Sequence, residues 1–512
     1  MKLKSKISRR DFLKIFSLAF SPLLVQPIIE PISGFFEDTP NIIILVFDAW
    51  SANDVSLYGY PRQTMPNLET FAENAIVYHH HYSAGTFTIP GTASLLTGMV
   101  PWTHRALSLG SGVLRQYESN QAFALLSKKY ATLGYAQNKY ADIFLKQFRE
   151  NVDQHVSGSA FNFNDRTFYA PLFENDAQIA FSAFDDNLVR DSTGYDASLF
   201  IGPLLRTMNL ANRREIELTH RLGYPHGLPE TDAREYFSLN NIVDGAIDLL
   251  RDVQSPAFVY LHFYPPHDPY RPIKRFNGSF LGKDAWEPDE KPVHRLATLQ
   301  KDIGDLRSKR HVYDDYLVSW DYEVARLFDF LHESGLLENS YIFVTSDHGE
   351  MFERGELGHV TPLIYEPLIH IPLLVSCPGQ IGRQDVYSYT SSIDVLPTLA
   401  SIAGLPKPDW AEGEPLPYLG GVENNNRSLY TVEAAHNSAF KPLERASIAL
   451  TRNQLRLIYY NYPGDQQFEF YNLAEDPEEL TDLYPFQPVE AMQMQDELLQ
   501  ALAEKDQRFL GK

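Results

Sequence analysis

The chain has 512 residues, 44% hydrophobic, 13% aromatic and 21% charged, a globular composition long enough to bury a large core. Its 44 Lys and Arg stand against 66 Asp and Glu, a formal net charge of −22 at pH 7. Such an acidic balance argues against nonspecific nucleic-acid binding, although a bound divalent cation can reverse the local field in one pocket and admit an anionic substrate.

The first 35 residues form a unit of their own. Ser8-Arg9-Arg10-Asp11-Phe12-Leu13-Lys14 matches a twin-arginine export signal, with a basic stretch before it and an apolar run, Ile15 to Ile29, after it. Pro22 and Pro27 interrupt that run, which is short for a spanning helix, and no Ala-x-Ala site follows. The expectation is export through the twin-arginine machinery to the periplasm or another extracytoplasmic space, with the segment either cleaved or kept as a membrane anchor. The single cysteine, Cys377, excludes an intrachain disulfide and fits a protein exported already folded. It follows an apolar strand and is expected to be a buried small residue.

A catalytic domain is expected over 40–405. Asn41 to Phe47 is a continuous apolar run of the kind buried on both faces of a parallel sheet, and Asp48 follows it. Met65 to Asn74 has helical spacing, and Ile76 to Tyr82 predicts a strand. Within that strand, His79, His80 and His81 would alternate faces and could not share one metal site. Pro90 opens a predicted helix that Gly98 closes. Residues 155–235 are aromatic and acidic with weak periodicity, an insertion expected at the substrate mouth. Helical stretches at 238–251 and 313–334 precede two further strands. Ala257 to Tyr264 runs into Pro265-Pro266-His267-Asp268-Pro269, and Tyr341 to Thr345 runs into Ser346-Asp347-His348-Gly349-Glu350. Strands alternating with helices imply a doubly wound α/β sheet, mostly parallel, whose ligands bind at the carboxyl ends of the strands. Asp48, His267, Asp347 and His348 all fall at such ends. Residues 406–512 are expected to form a smaller α+β subdomain. A Pro/Gly-rich linker over 406–421 leads to strands at Ala446 to Thr451 and Leu455 to Tyr460, a hairpin and turn around Phe470 to Leu473, and a helix from Val489 to Lys505.

Thr88-Ile-Pro-Gly-Thr-Ala-Ser-Leu-Leu-Thr-Gly98, with His267-Asp-Pro-Tyr270 and Thr345-Ser-Asp-His-Gly-Glu350, resembles the sulfatase family of the alkaline-phosphatase superfamily in residues, order and spacing. The resemblance implies a catalytic site at Thr88, metal ligands at Asp48, Thr88, Asp347 and His348, and substrate or leaving-group contacts at His267 and His359. Sulfatases carry at the first position a Cys or Ser that is oxidised to formylglycine, which a threonine cannot become. The Arg four residues on is here Thr92, and the second of two adjacent acids after the first strand is here Ala49. Lys139 lacks the Gly-Lys-Trp-His surroundings of sulfatases. The remaining set resembles the single-metal site of threonine-nucleophile relatives, the phosphoglycerol and phosphoethanolamine transferases of the cell envelope.

Ester cleavage needs a nucleophile, charge neutralisation on nonbridging oxygens, and help for the leaving group. A threonine hydroxyl becomes competent beside a divalent cation, and helix N-terminal amides cradle an anionic oxygen; the alternative for Thr88 is a helix cap. Oxygen and imidazole donors suit one Mn²⁺, Zn²⁺, Mg²⁺ or Ca²⁺. The leading expectation is a phosphoesterase or phosphotransferase acting on a small-molecule, lipid or glycan ester. The alternatives are a sulfuric ester hydrolase working without formylglycine, and a noncatalytic binding protein.

Overall fold

The computed structural model describes residues 39–163, 213–282 and 286–509. The leader and most of the 155–235 insertion lie outside them.

Ten residue stretches build the framework of the main sheet and its neighbouring hairpin: β1 (Asn41–Asp48), β2 (Ile76–Tyr82), β3 (Ala131–Ala136), β4 (Gln154–Val156), β5 (Ala257–Pro266), β6 (Ser340–Thr345), β7 (Met351–Glu353), β8 (Glu356–Gly358), β9 (Leu373–Ser376) and β10 (Gln384–Ser391). All but the β7–β8 hairpin join one eight-stranded sheet in the order β10-β2-β9-β6-β1-β5-β3-β4. β1 is central. It pairs in parallel with β5 through Ile42↔Phe258 to Phe47↔Phe263, and with β6 through Ile42↔Tyr341 to Val46↔Thr345. Only β9 runs against its neighbours β2 and β6, so the sheet is mostly parallel, as expected.

Every residue of β1 is buried because both faces of the sheet are covered. Ile43, Leu45 and Phe47 pack with α1 (Pro66–Ala72), α4 (Leu239–Arg251) and α5 (Ile303–Glu333). Ile42, Ile44 and Val46 pack on the other side with α2 (Thr88–Thr97), α3 (Lys139–Gln147) and α6 (Val395–Ile402). Burial of each such aliphatic side chain contributes about 1.5–3 kcal/mol. The result is the expected three-layer, doubly wound arrangement, with the strand ends clustered at one rim.

Residues beyond the large sheet add a four-stranded antiparallel sheet, β11 (Leu429–Glu433), β12 (Ala446–Arg452), β13 (Leu455–Tyr462) and β14 (Asp465–Asn472), against which α7 (Val489–Asp506) packs Ala491, Met494 and Leu498. Three local expectations need correction. α5 starts ten residues before 313, capped by the Asp302 side chain accepting from the Asp305 amide, because its polar first turns lack an apolar stripe. The 406–421 stretch is no free linker: Leu416 is fully buried and the Tyr78 hydroxyl donates to the Pro417 carbonyl at 2.7 Å. Cys377 is half-buried rather than buried, and burial pushes its thiol up to about 11.

Candidate active site

Asp48 ends β1, and His348 follows Asp347 just past β6, so the parallel pairing of the two strands brings all three side chains to one point. α2 arrives from the next layer. Thr88 is its first residue and not its cap: Phe87 holds the cap position, and no side-chain cap bond is made there. Gly98, at φ 67°, closes the helix, as expected from the sequence. Close docking of α2 requires Gly91, where a Cβ would sit 2.3 Å from the Asp347 carbonyl oxygen.

Thr88 is 2% exposed, and its Oγ1 lies 3.3 Å from His348 Nε2 and 3.4 Å from Asn138 Nδ2. His348 Nδ1–H donates to the Gly349 carbonyl at 2.9 Å, which leaves Nε2 facing the pocket as an acceptor or ligand. Asn138 caps α3 by accepting from the Tyr140 amide at 2.9 Å, so its amide nitrogen must face inward, donating to Asp48 Oδ2 at 2.5 Å. His262, from the middle of β5, places Nε2 3.3 Å from Asp48 Oδ2 and 3.7 Å from Asp347 Oδ2. Thr92, in the position of the missing Arg, donates to Asp347 Oδ2 at 3.5 Å.

Two histidines form the outer wall. The His267 ring lies 4.7 Å from that of His359, which lies 4.4 Å from that of His348. His359 Nδ1 contacts both oxygens of Glu350, at 3.2 and 3.3 Å, and His267 Nδ1 donates to the Asp268 carbonyl at 2.7 Å.

Buried charges dominate the electrostatics, and among the described residues no Lys or Arg pairs with Asp48 or Asp347. Burial alone would raise Asp48, but the charge of His267 and the close approach of the His262 and His348 rings outweigh it and hold the carboxyl well below its usual range. Asp347 is raised, by burial first and then by the Asp48 charge. Burial opposes charge on His267, yet Asp48, Asp268, Asp232 and Glu350 lift it to about 9. His348 is lifted to about 8 by Asp347 and Asp48 against the same penalty.

The donor set fits a divalent cation on two grounds. Asp48 Oδ1 is buried with no hydrogen-bond partner, a state that is costly for a carboxylate unless a cation meets it. Ligand atoms of Asp48, His262 and Asp347 also lie within 4.8 Å of one another. All six residues expected from the sequence, Asp48, Thr88, His267, Asp347, His348 and His359, therefore converge. The histidine run does not: His81 is buried against Thr390, whereas His79 faces Asp385. Lys139 is exposed and donates to the Asp232 carbonyl. Asn138 and His262 were missed. Asn138 follows β3, whose Ala131-Thr-Leu-Gly-Tyr-Ala136 sequence is weakly strand-like, and His262 is hidden inside an apolar strand by its parity with Tyr260.

Comparison with known proteins settles the family. The sulfatase family model matches residues 40–405. The chain belongs to the sulfatase family. Residues 355–508 additionally match the C-terminal domain of N-sulphoglucosamine sulphohydrolase. Among sulfatase relatives, an arylsulfatase of Clostridium perfringens is 23% identical over 87% of this chain and 90% of its own length. A multifunctional alkaline phosphatase superfamily protein of Trinickia caryophylli is 24% identical over 86% of this chain and 91% of its own. The fold matches the phosphonate monoester hydrolase of Agrobacterium radiobacter with TM-score 0.65 and 17% identity, covering 91% of this chain and 96% of that one. The protein is thus a hydrolase of the sulfatase family.

Proposed function

We propose that this sulfatase-family protein is an exported, metal-dependent hydrolase or transferase that cleaves phosphate mono- or diesters through a covalent intermediate on Thr88. One observation carries the proposal: a buried Thr88 hydroxyl at the N-terminus of α2, between Asn138 Nδ2 and His348 Nε2, beside two carboxylates and an unpartnered Asp48 oxygen. The names of the multifunctional superfamily relative and the phosphonate monoester hydrolase support phosphorus as the attacked atom.

Asp48, Asp347 and His348 would hold the cation beside Thr88. When bound, the cation neutralises nonbridging oxygens and favours loss of the Thr88 proton. Thr88 Oγ1 attacks phosphorus and its proton leaves to solvent; the bond from phosphorus to the leaving oxygen breaks. His267 gives its proton to that oxygen. The Asn138 amide and the first amides of α2 hold the developing charge on the transferred group. Water, or an acceptor alcohol, then attacks phosphorus and passes a proton to His267, while the bond from phosphorus to Thr88 Oγ1 breaks and Thr88 regains its hydroxyl proton from solvent.

A second reading, sulfuric ester hydrolysis, is favoured by the names of relatives such as the Clostridium perfringens arylsulfatase. Its chemical difficulty is the second step. Formylglycine hydrate expels sulfate by losing a proton from its second hydroxyl, and a threonine ester has no such hydroxyl. The protein loaded with Mn²⁺ and offered matched aryl phosphate mono- and diesters and aryl sulfates separates the two. Turnover faster on phosphorus and abolished by Thr88→Ala is expected, whereas full turnover by Thr88→Ala overturns the mechanism. Export is tested by replacing Arg9 and Arg10 with Lys, which should leave the protein in the cytoplasmic fraction.

A further inference from the structure

The family pattern places two adjacent acids after the first strand, and this chain offers Asp48 followed by Ala49, whose φ is 58°. The fold supplies another donor from the neighbouring strand. His262 lies on β5 across from Val46, two residues before Asp48, so by parity its side chain leaves the same face of the sheet as that of Asp48. Both side chains are fully buried.

We propose that His262 Nε2 is a direct ligand of the divalent cation, replacing the carboxylate missing at position 49, and that it shifts the site toward Zn²⁺ and Mn²⁺ over Mg²⁺ and Ca²⁺. This rests on the site being a metal centre, as proposed above. Two donors bound at about 2.0–2.2 Å to one ion, at angles between octahedral and tetrahedral, stand about 2.8–3.6 Å apart. His262 Nε2 lies 3.3 Å from Asp48 Oδ2 and 3.7 Å from Asp347 Oδ2, and His348 Nε2 lies 3.3 Å from Asp48 Oδ1 and 3.7 Å from Asp347 Oδ2. Each imidazole thus stands at the same pair of distances from the two carboxylates, His262 against Oδ2 of Asp48 and His348 against Oδ1.

Each imidazole also has an outer partner at Nδ1. For His348 it is the Gly349 carbonyl at 2.9 Å, and for His262 the Tyr260 phenol oxygen at 2.9 Å. The Gly349 carbonyl accepts Nδ1–H, and with the Tyr260 phenol oxygen accepting likewise, both Nε2 lone pairs turn inward. Two carboxylates match the two charges of the cation, where three would leave an excess negative charge facing an anionic substrate. Imidazole nitrogen favours Zn²⁺ and Mn²⁺, whereas Mg²⁺ and Ca²⁺ prefer oxygen.

Pulsed electron paramagnetic resonance of the Mn²⁺-loaded full chain counts the ligating ¹⁴N nuclei directly. Two imidazole couplings are expected in the wild type and one in His262→Ala. Competition with a chromogenic chelator should show Zn²⁺ held at least 10–100-fold more weakly by His262→Ala. His262→Asp should regain affinity while moving preference toward Mg²⁺ and Ca²⁺. Tyr260→Phe should keep both couplings and lose about tenfold in affinity. A single coupling in metal-loaded wild type overturns the role of His262 and leaves the Thr88 chemistry standing. A wild type that binds none of the four cations overturns both.

Discussion

Two clusters of buried acids sit in this molecule and are solved in opposite ways. Beneath the C-terminal sheet, Glu366 and Glu479 enclose Arg456, whose Nη1 and Nη2 donate to them at 2.8 Å each while Nε donates to Thr451 Oγ1 at 3.0 Å. Arg456 is 0% exposed, and the cluster carries its own cation. At the rim of the large sheet, Asp48 and Asp347 have imidazoles and an amide but, among the described residues, no Lys or Arg, and Asp48 Oδ1 has no hydrogen-bond partner among them. The first cluster is closed and structural. The second holds no such cation of its own, in keeping with the proposed metal-dependent site.

Substitutions should separate the two clusters. Thr88→Ala should lower kcat by roughly 10⁴-fold or more with an unchanged melting temperature, since it removes the proposed nucleophile and no packing charge; steady-state kinetics beside a thermal melt would show it. Arg456→Met should do the reverse, costing about 3–5 kcal/mol in denaturant unfolding by leaving Glu366 and Glu479 uncompensated, while kcat per folded molecule is kept. Adding Mn²⁺ or Zn²⁺ at a hundred times its dissociation constant should stabilise the wild type by about 2.7 kcal/mol and should not stabilise the Asp48→Asn, Asp347→Asn double variant. Equal stabilisation of both proteins would erase the distinction between the clusters.

Glu433 on β11 shows a third solution, neutralisation. Burial pushes its carboxyl from 4.5 up to about 7 against a hydrogen bond from the Ala435 amide and the charge of Arg445. The folded state therefore binds more protons than the unfolded state between those values, and stability falls as pH rises from about 4.5 to 7. Glu433→Gln should flatten that part of the stability profile by about 3 kcal/mol, measured by melts across the interval.

The sheet and most of the site were legible because both depend on local pattern. An unbroken apolar run such as Asn41 to Phe47 can be satisfied only when covered on both faces, and the acids at its end and at the end of Tyr341 to Thr345 then meet at one rim. Residues outside that rule were hidden. His262 acts from mid-strand, where only the register of β5 against β1 shows that it reaches Asp48. Asn138 is placed by a short strand with little β-propensity and by its own capping bond to Tyr140. The antiparallel β9 and the packing of 406–421 are decided by tertiary contacts that no local composition encodes.

The central claim is a covalent step on Thr88. A phosphorothioate diester, chiral at phosphorus and hydrolysed in ¹⁸O water, tests it most directly. Two in-line displacements, first by Thr88 and then by water, predict net retention of configuration. Inversion would mean that water attacks the substrate itself, and would contradict the account.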